Sequence, residues 1–219
     1  MNYKEQIKVI GFDLDQTLYP KSPEIDTAIQ VYLYHKIADH LHIPLAEAEK
    51  KFKDLYRDGS GLSGRLTLKA LNIPDYKNSI QEALEQADIS RFLKPNDEIN
   101  ELLLQIKKKY RAIDIITGSN LKITTEKLLH LGMEPAMFSH IITDDHFAKS
   151  NGDAYKAWLE RYPGVDASDF LYVGDRPKTD YSVPRELGIV TILVNQKKVD
   201  PEIDSPQLPT LLDIKGLLL

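Results

Sequence analysis

The hydrophobic pattern changes period twice along the chain. Around residues 7–14 apolar side chains stand on both faces (Ile7, Val9, Ile10, Phe12, Leu14), which predicts a strand buried on both sides in a parallel sheet. Pro20 and Pro23 break that pattern, and Ile25, Ile29, Leu33, Ile37 and Leu41 then recur every four residues with Ala28 and Tyr32 beside them. This is the period of an amphipathic helix. A second helix follows Pro44 with Leu45, Ala48, Phe52 and Leu55 on one side, and shorter helices are expected over 65–71 and 79–87. No strand signal occurs over 21–95. From Asn96 helix and strand alternate: a helix with Ile99, Leu102, Leu103 and Ile106, a strand over 112–116, and a helix over 120–131 closed by Gly132. A strand over 140–143 and a helix with Ala154, Trp158 and Leu159 follow, the latter stopped by Pro163 and Gly164. Strands over 170–173 and 189–194 end the series, joined by a short helix from near Asp180 to Gly188.

Strands alternating with helices imply an α/β fold, a doubly wound Rossmann-like parallel sheet with its ligands at the carboxyl ends of the strands. The helical stretch between the first strand and the rest of the sheet reads as an inserted all-helical cap domain. The expected division is a core of 1–20 and 96–219 and a cap of 21–95, with the two tethers as hinges.

Composition narrows the class. With 219 residues, 42% of them hydrophobic and 28% charged, the chain can bury a full core and is expected to be globular. A net charge of −5 argues against a nucleic-acid partner, and the cluster of Lys107, Lys108, Lys109 and Arg111 is simply explained as a helix C-terminus, where cations suit the dipole. The absence of cysteine excludes disulfides, thiolate metal sites and a cysteine nucleophile. The first residues, MNYKEQIK, carry no signal-peptide core, and the apolar tail LPTLLDIKGLLL is short and interrupted by Asp213 and Lys215. A cytoplasmic location with no membrane partner is therefore expected.

The candidate chemistry sits at the expected strand ends. The first buried strand runs into Asp13 and Asp15, two carboxylates on one face, with Thr17 leaving beside them. A strand that runs into an Asp-rich turn is the bland alternative. The next strand ends in Thr117, Gly118 and Ser119, the third is followed by Lys149, and the fourth ends at Gly174 and Asp175. Carboxylates for a hard cation, a hydroxyl with backbone N–H groups for anionic oxygens and a lysine point charge together make a phosphate site with Mg²⁺. A small phosphorylated metabolite is the expected partner.

The four segments DLDQT, ITGS, KSNGDAY and VGDRPKTD resemble, in order and spacing, the four motifs of the haloacid dehalogenase superfamily. The match spans the whole core, and the insert falls where that superfamily carries its type-1 helical cap. The resemblance implies a phosphomonoester hydrolase in which Asp13 is the nucleophile that becomes an aspartyl-phosphate. Asp15 would protonate the leaving alkoxide and later deprotonate the attacking water. It further implies a metal held by the Asp13 carboxylate, the Asp15 backbone carbonyl and Asp175, with Thr117 and Lys149 on the transferring oxygens. Asp180, at an expected helix start, would order the metal shell, ligate through water or serve only as a helix cap. Two positions depart from the family pattern: Gln16, where Asn or Gly is commoner, and Ser150, where proline often follows the lysine. The second leaves open that Lys149 is a solvated loop lysine.

The words DLDQTLYP and the glycine-rich cap stretch GSGLSGR look like the pyrimidine 5′-nucleotidase-like branch, which implies a nucleoside 5′-monophosphate as substrate. A phosphoglycolate or sugar-phosphate phosphatase, or a phosphomutase, shares the same core, and a receiver-like phosphoacceptor module is the remote alternative. Arg65 would offer a planar donor to the substrate or lie on the solvated face of a cap helix. Gly59, Gly61 and Gly64 spell a dinucleotide fingerprint, but the buried strand that motif needs is absent before them.

Overall fold

Helix α1 (Tyr3–Gln6) leads into β1 (Val9–Phe12), and α2 (Pro23–Leu41), α3 (Leu45–Leu55), α4 (Gly64–Ala70) and α5 (Ser79–Gln86) follow. Then come α6 (Asp97–Lys109), β2 (Ala112–Ile116), α7 (Leu121–His130), β3 (Ile141–Ile142), α8 (Asp153–Glu160), β4 (Phe170–Gly174), α9 (Val183–Glu186), β5 (Val190–Leu193) and α10 (Lys215–Leu218). This computed structural model describes residues 2–20, 22–56, 62–87 and 89–219. The chain divides into two compact units, Met1–Pro20 with Leu93–Leu219, and Lys21–Phe92. No described helix is long and apolar enough to cross a membrane.

In the larger unit five parallel strands lie in the order β3-β2-β1-β4-β5. β1 pairs on one side with β2 (Phe12 opposite Ile115) and on the other with β4 (Phe12 opposite Val173). The chain thus builds outward from β1 in both directions, and the order reverses at its carboxyl end, the place where sheets of this kind hold their ligands. All residues of β1, β2 and β4 are buried, which is why their sequences are apolar on both faces. Gly11 makes this packing possible: a Cβ there would stand 2.5 Å from Ile116 Cδ1 and 2.8 Å from the Trp158 ring. The Trp158 indole N–H and the Tyr162 hydroxyl donate to buried Asp114 at 2.8 and 2.7 Å, and the His140 N–H donates to its other oxygen. Burial pushes this carboxyl above its ordinary range, and neutral donors satisfy it. Two of the helices, α6 and α7, begin at side-chain caps: Asn96 accepts from the Glu98 and Ile99 N–H groups, and Asn120 from that of Ile123. The three lysines do close α6.

The smaller unit has four helices among its described residues. Ser22 caps α2, whose Ile25, Ile29, Leu33, Tyr34 and Ile37 are buried, and Phe52 of α3 meets Tyr34 edge-on at 5.3 Å. Tyr32 donates to Glu82 of α5, and Lys36 pairs with the same carboxylate. This unit ends at Phe92, in a 3₁₀ turn over Ser90–Phe92, three residues before the proline expected to mark it. Gly59, Gly61 and Ser60 lie outside the described residues, while Gly64 opens α4.

One local expectation is corrected. Asp180 does not start a helix: a wide helical turn spans Pro177–Ser182, with Asp180 inside it, before α9. Pro177 sets this earlier start, because its fixed φ and missing N–H suit a first helical position.

Candidate active site

The site grows from the end of β1. Asp13 continues the strand's pairing, its N–H donating to Val173 O at 2.8 Å, and so stands at the carboxyl edge. The chain then turns tightly. Gln16 takes a left-handed conformation with φ of 61°, and the N–H groups of Thr17 and Leu18 close the turn on Leu14 O. Such a backbone is strained for any residue but glycine or asparagine, which accounts for glutamine being the unusual choice here. Asn195, just past β5, holds the strained peptide by donating to Gln16 O at 2.6 Å, and Gln196 donates to Asp175 O at 2.8 Å. The fifth strand end thus braces both carboxylate-bearing loops.

Asp13 and Asp15 are 5% and 3% exposed and face different surroundings. Asp13 accepts from Thr17 Oγ1 at 3.1 Å and from Lys149 Nζ at 2.6 Å. Lys149 is 8% exposed, so it is a buried site residue rather than a solvated loop lysine, and it also lies 2.8 Å from Asp180 Oδ1. Burial alone would lower its pKa, but Asp13 and Asp180 hold it up. Asp175 follows β4, and Asp180 folds back so that its Oδ2 accepts from the N–H groups of Asp175 and Arg176 at 3.0 and 2.9 Å. Only glycine at 174 allows this, since a Cβ there would stand 2.5 Å from the Asp180 side chain.

Asp13, Asp175 and Asp180 each present an oxygen within 4.8 Å of the others. Burial, then mutual repulsion, pushes Asp175 up to about 8. Burial likewise outweighs Lys149 at Asp13 and pushes it up to about 6. Among the described residues the buried Asp175 Oδ1 has no hydrogen-bond partner, and Asp180 Oδ1 meets the Lys149 ammonium alone. Crowded carboxylate oxygens with unspent lone pairs fit a hard divalent cation such as Mg²⁺. The Asp15 carboxylate stands outside this group.

Asp15 sits among donors. Its Oδ1 accepts from Tyr19 OH at 2.5 Å and from Lys127 Nζ at 2.6 Å, and its Oδ2 from Ser119 Oγ at 2.9 Å. Burial raises its pKa, but the Lys127 charge and these hydrogen bonds outweigh burial and hold it below the ordinary carboxylate range. Thr117, fully buried at the end of β2, accepts from the Ser119 N–H through its hydroxyl, and Gly118 follows at the partly open edge. Thr117 and Gly118 therefore follow β2 and Asp175 follows β4, the two strands that flank the β1 end carrying Asp13 and Asp15, and Lys149 reaches Asp13 from the segment after β3. Arg65 belongs to the smaller unit, on the exposed side of α4.

Sequence reasoning missed Lys127, the roles of Tyr19 and Ser119, and the braces Asn195 and Gln196. For Lys127 a signal exists. Thr124, Lys127, Leu128 and Leu131 are all buried at helical spacing, so a lysine occupies the apolar stripe of α7 and its continuation.

Comparison with known proteins agrees with this geometry. The family model described as haloacid dehalogenase-like hydrolase matches residues 7–188. The chain is 28% identical over 199 residues to the glyceraldehyde 3-phosphate phosphatase of Methanocaldococcus jannaschii, covering 88% of this chain and 86% of that protein. It is 24% identical to the protein of the same name from Methanopyrus kandleri, covering 95% and 97%. In structure it resembles the HAD-hydrolase YfnB of Bacillus subtilis, solved bound to magnesium, with a TM-score of 0.61 at 18% identity over 98% of this chain and 99% of that one.

Proposed function

This chain belongs to the haloacid dehalogenase-like hydrolases and is a hydrolase of phosphoric monoesters, and on that premise we propose that it works with Mg²⁺ through an aspartyl-phosphate on Asp13. The observation that carries this reading is the trio Asp13, Asp175 and Asp180, gathered within 4.8 Å and joined by Lys149. A bound cation would be held by the Asp13 and Asp175 carboxylates and the Asp15 carbonyl, with Asp180 beside them, and would offset the repulsion between an anionic nucleophile and an anionic phosphate.

The chain's own residues divide the work. An Asp13 oxygen bonds to phosphorus as the bond to the leaving oxygen breaks, and Asp15 gives that oxygen a proton. Water then attacks phosphorus, the Asp13–phosphorus bond breaks, and Asp15 takes the water's proton. The proton gained in the second step is the one returned in the next first step. Thr117, the Gly118 backbone and Lys149 hold the transferring oxygens, and Thr17 and Lys149 fix Asp13.

The substrate we propose is a small phosphorylated metabolite of triose size. The two archaeal relatives are named for a triose phosphate, which moves the reading away from the nucleoside 5′-monophosphate that the motif wording implies. None of the core residues above addresses the rest of the molecule, so the helical unit would choose it, with Arg65 as a candidate donor. A panel of glyceraldehyde 3-phosphate, phosphoglycolate, a hexose phosphate and nucleoside 5′-monophosphates, run with Mg²⁺ and with chelator, tests this. Glyceraldehyde 3-phosphate should lead and chelation should silence every reaction. A nucleotide preferred tenfold in kcat/KM, about 1.4 kcal/mol, would reject the substrate and keep the phosphatase. Full activity under exhaustive chelation would reject the metal.

A further inference from the structure

The least expected group near the site is Lys127. Its side chain, 1% exposed, reaches from α7 to Asp15 Oδ1 at 2.6 Å and stands 3.3 Å from Ser119 Oγ. A buried aspartate does not need this: Asp114, one strand away, is satisfied by an indole, a phenol and a backbone N–H. Taking an ammonium out of water is costly, and an apolar residue in its place would often serve stability as well or better. The arrangement on Asp15 is also one-sided. Among the described residues Oδ1 takes both Lys127 and Tyr19, while Oδ2 meets a single hydroxyl, and that hydroxyl can rotate away.

We propose that Lys127 is a positioning residue that, with Tyr19, pins Asp15 by Oδ1 and so leaves Oδ2 as the oxygen that exchanges protons. Oδ2 gives its proton to the leaving oxygen as the phosphorus bond to that oxygen breaks. Later it takes one from the water that attacks the aspartyl-phosphate. Without the anchor the carboxylate can swing about its side-chain bonds, and Oδ2 loses its aim. This rests on Asp15 being the acid and base of the proposed reaction.

The test is a leaving-group series. kcat/KM is measured for aryl phosphates of graded phenol acidity and for one alkyl phosphate, in the wild type, Lys127→Met and Tyr19→Phe, with saturating Mg²⁺. This quantity reports only the steps through departure of the leaving group. Because general acid catalysis contributes about 10² or more, Lys127→Met should cost about 10²-fold on the alkyl phosphate but less than about fivefold on p-nitrophenyl phosphate, whose leaving group needs little protonation. Tyr19→Phe should tilt the series the same way by about tenfold. A structural role would lower the whole series by one common factor. A flat loss across the series in Lys127→Met overturns the proposal. If that variant fails to fold, the slope in Tyr19→Phe decides by the same criterion. A wild type whose own rates ignore Asp15→Asn throughout the series would instead sink the acid–base reading beneath it.

Discussion

Asp13 and Asp15 are two residues apart on one strand end and live in opposite fields. Around Asp13 the neighbours are carboxylates, Asp175 and Asp180, with one lysine shared between Asp13 and Asp180. Around Asp15, among the described residues, the hydrogen-bonding side chains are donors, two of them on one oxygen. Burial raises both, yet Asp13 ends near 6 and Asp15 below its ordinary range, so surroundings rather than depth separate them. The difference teaches a division of labour. On the proposed mechanism, the acid-crowded half would receive the cation and the phosphoryl group, and the donor-lined half would hold one carboxylate still while protons come and go.

Three changes probe that division. Asp13→Asn removes the proposed nucleophile from the crowded half and should lower kcat by at least about 10⁴-fold, on aryl and alkyl phosphates alike. Turnover near the wild-type rate in that variant would dissolve the distinction between the two aspartates. Next in size, Asp175→Ala should weaken apparent Mg²⁺ affinity by about 10²-fold and Asp180→Ala by about tenfold, because Asp180 already spends one oxygen on the Asp175 and Arg176 N–H groups. Activity titrations that rank the two in reverse would exchange direct and supporting roles.

The smallest effect is on stability. With Asp175 near 8 and Asp13 near 6, the folded protein without metal holds protons that the unfolded chain has released above about pH 4. Its stability should therefore fall as pH rises from about 4 to 8. Asp15 acts in the opposite sense, its contribution present above the ordinary carboxylate pKa and lost as pH falls through its depressed folded value. Thermal melts in chelator should show Tm declining over the upper window, and saturating Mg²⁺ should flatten the decline. A Tm that climbs with pH in chelator would mean the crowded half is not strained by its own charge.

Strands β1, β2 and β4 were legible because both faces of each are buried, so their apolar runs have few competing explanations. The two aspartates, Thr117 and Asp175 stood out because they interrupt such runs at their ends, and Lys149 because it lies in a motif-like segment, KSNGDAY, after the third strand. What escaped was anything that reaches the site across the fold. Lys127 approaches from the stripe of a helix, where a lysine in the sequence looks like one more solvated charge. Asn195 and Gln196 act through backbone carbonyls, which have no sequence pattern. Asp180 was seen but misplaced, because an N-terminal aspartate and one folded back under a glycine look alike until the Gly174 contact is known.

The claim that Asp13 carries the phosphoryl group while Asp15 moves the protons has one direct test. Asp15→Asn is mixed with p-nitrophenyl phosphate and Mg²⁺, quenched in acid, and its peptides are weighed. The leaving group here departs with little help, but water then lacks its base, so the account predicts a single burst of nitrophenol per enzyme and a phosphoryl group on the peptide bearing Asp13. Sustained turnover with no phosphorylated peptide, or a phosphoryl group on any other residue, would contradict it.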